Sequence, residues 1–233
     1  MNEITQIRKL SLWIFFLPLI AINLCLLISQ NPLILDNTIF KVDMIGRSAF
    51  TIPYLDGSLS ISRASRTYPQ YLIFKPAMIV TAILLYYYWI NNNLLINKYR
   101  STNISYKFKT FGILSAFFLV IHSIFLGIKF DYDLYKLFRR VIMLVFIIFE
   151  VVAQAYLVIT LYSIKNKLLS FINLKFLKLK AILVSILVFV MIVSIPIVSM
   201  PGNKHIKHAL EWDFFLGVIF FYVLTFFMWK KQS

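Results

Sequence analysis

Apolar residues follow one another along this chain in long runs rather than in alternation with polar ones. Six runs lie at residues 10–29, 71–90, 111–128, 141–163, 181–200 and 209–229. A helix of roughly 20 mainly apolar residues is long enough to cross about 30 Å of hydrocarbon. A transmembrane barrel is disfavoured because its strands are short segments of alternating hydrophobicity. Because backbone groups in lipid must pair internally, the pattern predicts an all-α bundle of six transmembrane helices, one domain over residues 1–233.

The polar segments between the runs predict which side of the membrane each faces. The longest, residues 30–70, separates the first two runs. The loops after the second and fourth runs are basic and contain no acidic residue, which is typical of cytoplasmic loops. We therefore expect both termini in the cytoplasm and loop 30–70 on the outer side. That outer side then receives most of the acidic residues: Asp36, Asp43, Asp56, Asp131, Asp133, Glu211 and Asp213.

Composition and charge agree with a membrane location. Hydrophobic residues make up 61% of the chain, which leaves too little polar surface to cover a soluble globule. The formal net charge of +15 would suggest nucleic acid as the partner of a soluble protein. Here the basic residues lie mainly in loops between spans and no nucleic-acid-binding motif occurs, so we expect membrane lipids as partners and no nucleic acid. No cofactor is expected either.

The segment GSLSISRASRTYPQYLIFKP, residues 57–76, is unusually polar for a stretch that leads into a transmembrane run. Ser58, Ser60 and Ser62 alternate with apolar residues, which predicts a short extended segment packed on the outer mouth of the bundle. Pro76 is suited to the first turn of the second transmembrane helix, where a missing N–H costs nothing.

Cations follow these serines at the depth expected for lipid headgroups. Guanidinium and ammonium groups bind phosphate oxygens through charge-assisted hydrogen bonds, so an anionic lipid head is a natural ligand. The alternative is that the cations only anchor the second helix by reaching to the membrane surface. The candidate headgroup-binding residues are Ser60, Ser62, Arg63, Arg66 and Lys75.

Four polar candidates fall inside the predicted spans: His122, Glu150, Gln154 and, in the sixth span, Glu211. An ionisable residue in hydrocarbon is costly and is a functional candidate by default. Glu150 and Gln154 are four residues apart in the fourth span, so they share a helix face. His122 in the third span differs from Glu150 in depth by only about 5 Å, which permits a hydrogen bond between them. The pair either joins two helices or lines a lipid or ion cavity, and the latter would suit a small channel or transporter.

A second chemical possibility lies at the start of the sixth run. His205, His208 and Glu211 are spaced three residues apart and would share one helix face, as zinc ligands can. Such a site would suit a zinc-dependent membrane lipid hydrolase. No motif of specific spacing such as H-E-x-x-H occurs, so no metal site is assigned. The candidates for a further ligand are Asp131, Asp133 and His122.

Four segments resemble one known family of six-span membrane proteins. They are PYLDGSLSIS, YPQYLIFK, LLYYYWINNNLL and ALEWDFFLGVIFFYVLTFFMW, the last with Glu211 and Trp212 as an acidic-aromatic pair. The layout is similar to that of the family of the damage-regulated autophagy modulators and the FGF-receptor-activating protein. Within it, the likeness is greatest to the branch of the post-GPI-attachment-to-proteins factors and the N-terminal domain of the yeast cell-wall protein Cwh.

This resemblance implies a role in lipid metabolism, in the step that restores a saturated acyl chain to GPI anchors after transport. It also implies an endoplasmic reticulum or Golgi location if the source is eukaryotic. GPI-anchored proteins and a partner membrane enzyme are the implied partners. Whether members of the family catalyse this step or assist another enzyme stays open.

Overall fold

The computed structural model describes residues 2–31, 35, 38–39, 51–99, 107–128, 132–200 and 202–231. Six of its helices are long and apolar enough to cross a membrane, which confirms the predicted all-α six-span bundle and makes the chain an integral membrane protein. Each contains most or all of one predicted run. The helices are α1 (Asn2–Gln30), α2 (Pro53–Asp56), α3 (Ile61–Ser65), α4 (Gln70–Tyr99), α5 (Lys107–Phe125), α6 (Asp133–Ser163), α7 (Leu174–Ser199) and α8 (Lys204–Met228), with a 3₁₀ turn at Lys165–Leu168.

The long helices form a ring in which neighbours in sequence are neighbours in space. Helices α1, α4, α5 and α6 pack in that order, and α6 continues to α7 and α7 to α8. Contacts between α1 and α8 close the ring. Helix α3 packs against α1, α4 and α8 at the end of the bundle that we predict to be outer.

The serine-rich segment does not form the predicted extended segment over its three serines, because Ser58 and Ser60 lie in the loop before α3 and Ser62 lies within the helix. Ser60 ends the loop after α2 and caps α3, because its Oγ accepts a hydrogen bond from the backbone N–H of Arg63 at 3.2 Å. A serine at this position pairs one of the otherwise free N–H groups of a first helical turn. Alternation of serine with apolar residues therefore reflected a cap and a short amphipathic helix rather than a strand.

Helix α4 begins earlier than its proline suggested. It starts at Gln70, directly after Pro69, and Pro76 lies within it rather than in its first turn. The turn before Pro76 stays helical because its inner face is packed: Gln70 and Phe74 are buried, and the Gln70 carbonyl accepts a hydrogen bond from Cys25 Sγ at 3.3 Å. Tertiary packing here outweighs the hydrogen bond that a proline inside a helix removes.

Candidate functional site

An apolar cavity runs along the inside of the ring; we call it the central cavity. Side chains of α1, α4, α5, α6 and α8 line it, Ile61 of α3 closes its outer end, and no described residue of α7 contributes. Its volume, measured as the space that the centre of a water-sized sphere can reach, is about 100 Å³. A space that narrow and apolar is suited to a hydrocarbon chain rather than to a bulky polar ligand.

A second cavity, the basic pocket, lies beyond α3. The space open to the centre of a water-sized sphere is about 440 Å³. Arg63 and Arg66, one turn apart on and just after α3, line one side of it, and Arg139 and Arg140 of α6 line another. The remaining polar residues that line it are Ser60, Ser62, His122, His208 and Glu211.

The two cavities meet, because His122, Met143 and Glu211 line both of them. Glu150 also lines the central cavity and lies ten residues beyond Arg140 on α6, which corresponds to about 15 Å along the helix. Half of a hydrocarbon core of about 30 Å has that thickness. The basic pocket therefore lies at headgroup depth when Glu150 lies at mid-bilayer depth.

Positive charge is in excess in the basic pocket. Four arginines line it, and among the described residues Glu211 is the one acidic residue that does. Arg139 Nε is buried and has no hydrogen-bond partner among the described residues. Partial burial, and then the charges of Arg63 and Arg139, lower the pKa of the Arg66 guanidinium. Like charges held this close favour an anion between them.

Helix α8 holds α3 in place beside the pocket. Gly57 has a left-handed backbone (φ 58°), and a Cβ added there would lie 1.7 Å from the His205 carbonyl oxygen. The Gly57 carbonyl accepts a hydrogen bond from His208 Nδ1 at 2.9 Å, and the Leu59 carbonyl accepts one from Trp212 Nε1 at 2.7 Å. Because glycine alone fits this contact without strain, the loop before α3 packs directly on α8.

Glu150 sits in a hydrogen-bonded cluster at the inner part of the central cavity. Its Oε2 accepts from Ser115 Oγ at 2.5 Å, and its Oε1 accepts from the Tyr222 hydroxyl and from Gln154 Nε2 at 3.1 Å. The two side chains share a helix face, as their spacing predicted, and this position allows the hydrogen bond between them. The hydrogen bond to His122 that the sequence permitted is not among those formed by the described residues; the donors to Glu150 come from α5, α6 and α8 instead. These bonds join three helices, which favours a structural role for Glu150.

The structure brings together most of the predicted headgroup residues and separates one. Ser60, Ser62, Arg63 and Arg66 all line the basic pocket, and the intramembrane candidates His122 and Glu211 join them. Lys75 lies apart from the pocket, where its Nζ donates to the Ile124 carbonyl at 3.1 Å. Its aliphatic length carries the ammonium group across to α5, away from α3.

Sequence reasoning missed three residues of the pocket: Arg139, Arg140 and, as a headgroup contact, His208. A usable signal was present, because Arg139 and Arg140 form an adjacent basic pair at the outer end of the fourth predicted span. The predicted topology already placed them on the same side as Arg63 and Arg66. What the sequence lacked was the packing that turns α3 and α6 towards one space.

The zinc site considered above is not formed. In the described part of the chain, no three side chains of histidine, cysteine, aspartate or glutamate are grouped so that they could hold a metal ion. His205 is exposed on α8, and His208 directs its Nδ1 to the Gly57 carbonyl. Asp131 lies outside the described residues.

A buried lysine lies apart from both cavities. Lys180 of α7 is 0% exposed, its Nζ donates to Thr225 Oγ1 at 2.8 Å, and the Nζ lies 3.8 Å from the centre of the Phe221 ring. Tyr88 shares the same hydroxyl, with its OH 3.2 Å from Thr225 Oγ1. These contacts fasten α7 and α4 to α8 near the start of α7 and the end of α8, at the opposite end of the bundle from the basic pocket.

Comparison of the chain with family models, with curated proteins and with solved structures finds no match.

Proposed function

We propose that this protein binds individual anionic lipid molecules, with a phosphate-bearing headgroup in the basic pocket and an acyl chain in the central cavity. The observation that carries the proposal is the junction at His122, Met143 and Glu211, where a polar cavity with four arginines opens onto an apolar one. A lipid has the same arrangement of a charged head joined to a hydrocarbon chain.

The two cavities contribute differently to binding. A lipid tail in a bilayer is already in an apolar medium, so moving it into the central cavity brings no hydrophobic gain. Packing against the cavity wall selects the shape of the chain. The affinity comes mainly from the headgroup, because charge-assisted hydrogen bonds to arginine are about twice as strong as neutral ones.

The headgroup half of the proposal is tested with the full chain purified in detergent. We expect phosphatidic acid to bind more tightly than phosphatidylcholine of identical chains, measured by native mass spectrometry. The double variant Arg66→Ala/Arg140→Ala should lose that preference. Lys204→Ala removes an exposed cation on the same predicted side, outside the pocket, and should keep it. Equal binding of both lipids by the unaltered protein would contradict the proposal.

The acyl half is tested by filling the central cavity. Met78 lines it and is 4% exposed, so Met78→Phe extends the side chain into the space that the acyl chain would occupy. We expect weaker lipid binding with little change in the preference between headgroups. The matched control is Ile83→Phe, since Ile83 lies on the same helix but is 49% exposed. If Met78→Phe binds lipid as the control does, the acyl chain lies elsewhere.

The resemblance to the GPI-anchor remodelling branch extends the proposal to a pathway. The resembling segments PYLDGSLSIS and YPQYLIFK contain α2, the first residues of α3 and the start of α4. They supply Ser60 and Ser62 to the basic pocket, and Ile61 and Phe74 to the central cavity. On this extension the bound lipid is that of a GPI anchor, in the endoplasmic reticulum or Golgi. Mass spectrometry of anchors from cells with and without the protein tests it. Unchanged anchors would contradict the pathway and leave lipid binding untouched.

A further inference from the structure

Glu211 is an unusual residue for a pocket that attracts anions. It lines both cavities at their junction, and its Oε1 is buried with no hydrogen-bond partner among the described residues. A carboxylate only accepts hydrogen bonds when ionised, and a buried oxygen without a donor is destabilising. The backbone N–H groups of Ile61 and Ser62 interact with the Glu211 carboxyl group, but its Oε1 has no donor among the described residues. A ligand at the junction can supply one, since the carboxyl group turns easily about its last torsion.

The position of Glu211 shows which part of a lipid would reach it. Arg63, Arg66 and Arg140 line the basic pocket and are absent from the central cavity, whereas Glu211 belongs to both. Glu211 is also eleven residues from Tyr222, about 16 Å along α8, so it lies at the outer end of the acyl path. The group opposite it is the lipid backbone between phosphate and chain.

The charges around Glu211 restrict the donor further. A phosphate oxygen placed there would be repelled by the carboxylate. An ammonium group would pair with the carboxylate but would be repelled by the four arginines of the basic pocket. A neutral O–H or N–H donor suits both, because it adds no charge.

We propose that Glu211 selects lipids whose backbone carries a neutral hydrogen-bond donor between the phosphate and the acyl chain. The inference rests on the proposed function. A free glycerol hydroxyl in a single-chain phospholipid supplies such a donor, and so do the hydroxyl and amide N–H of a sphingoid backbone. Diacyl glycerolipids have only ester oxygens at this level, which accept and cannot donate. Glu211 is thus a specificity-determining residue for the lipid backbone.

The test compares two ligands that differ only at this hydroxyl, which the second ligand carries as a methyl ether; the Glu211→Leu variant separates the loss of the donor from the added methyl group. Lysophosphatidic acid and its 2-O-methyl ether have the same phosphate and the same single chain. We expect the full chain in detergent to bind the free hydroxyl form about tenfold more tightly, since the ether leaves the carboxylate oxygen without a donor. Glu211→Leu should abolish the difference, and Glu211→Gln, which keeps a carbonyl acceptor, should retain part of it. Asp213→Leu removes an exposed carboxylate on the same helix and should retain all of it.

Each outcome separates this inference from the proposed function. Equal binding of the two ligands by the unaltered protein overturns the role of Glu211 but leaves lipid binding standing. A preference that survives in Glu211→Leu also overturns it. If glycerol 3-phosphate binds as tightly as either lipid, the pocket takes a soluble phosphate and the proposed function fails. Ceramide 1-phosphate identifies the source of the donor: binding as tight as that of lysophosphatidic acid extends the selected class to sphingoid lipids.

Discussion

Replacing Glu150 by leucine tests whether the buried cluster is structural. Two of its three donors keep another acceptor: Ser115 Oγ lies 2.8 Å from the Gly112 carbonyl oxygen, and Gln154 Nε2 lies 3.2 Å from that of Val218. The Tyr222 hydroxyl has no second acceptor among the described residues and is buried. Glu150→Leu therefore leaves one orphaned donor rather than three.

The expected loss of stability follows from that single donor. An unsatisfied buried hydroxyl costs about 1–3 kcal/mol, and hydrogen bonds between transmembrane helices average about 0.6 kcal/mol. We expect Glu150→Leu to cost about 1 kcal/mol, which lowers the melting temperature of a chain of this length by about 2–4 °C. Thermal unfolding of the full chain in detergent, followed by far-ultraviolet circular dichroism, measures the shift.

The double variant makes the test decisive. Tyr222→Phe removes the orphaned hydroxyl, so Glu150→Leu/Tyr222→Phe should recover most of the stability that Glu150→Leu loses. A double variant no more stable than Glu150→Leu alone would refute the reasoning. It would show that the cost arises from the changed shape of the side chain at position 150 and not from an unpaired donor.

Three further substitutions test the packing. Gly57→Ala should destabilise the chain by more than about 1 kcal/mol and weaken lipid binding. The backbone at Gly57 is left-handed, and the new Cβ would collide with the His205 carbonyl. A variant with the original melting temperature would contradict this. Gly112→Ala places a Cβ 2.3 Å from the ring of Trp89, and we expect an overpacking cost of about 1–3 kcal/mol in the same assay. Lys180→Met should leave the melting temperature unchanged or raise it, since an apolar residue replaces a fully buried amine. If Lys180→Met lowers the melting temperature more than Glu150→Leu does, the amine stabilises the fold.

The span pattern was predictable because the membrane imposes it. A run such as residues 141–163 has no soluble alternative, so its helix follows from length and hydropathy alone. Helix ends were less predictable where packing decides them. The sequence rule for proline placed Pro76 in the first turn of α4, whereas the helix starts six residues earlier, at the buried Gln70.

The candidate site was predictable in its chemistry but not in its grouping. Arg63 and Arg66 stood out because they are cations beside serines at headgroup depth. Arg139 and Arg140 looked like ordinary end-of-span residues, and only the position of α3 against α8 turns the two pairs towards one pocket. Lys75 was predicted as a headgroup contact from its charge, but its side chain extends to the Ile124 carbonyl of α5 and not into the basic pocket. Side-chain direction in three dimensions is the part that a one-dimensional pattern does not contain.

The contact between the loop before α3 and the start of α8 has a consequence for biogenesis. Gly57 and Leu59 reach the membrane early in synthesis, yet the side chains that bond their carbonyls, His208 and Trp212, belong to the last helix. A chain made from its N-terminus inserts five long helices before these partners exist. Helix α8 also contributes side chains from Glu211 to Tyr222 to the central cavity. Both cavities are therefore completed only when α8 joins the ring, and a ribosome-bound chain that has not yet released α8 has neither a closed acyl path nor a fixed headgroup site.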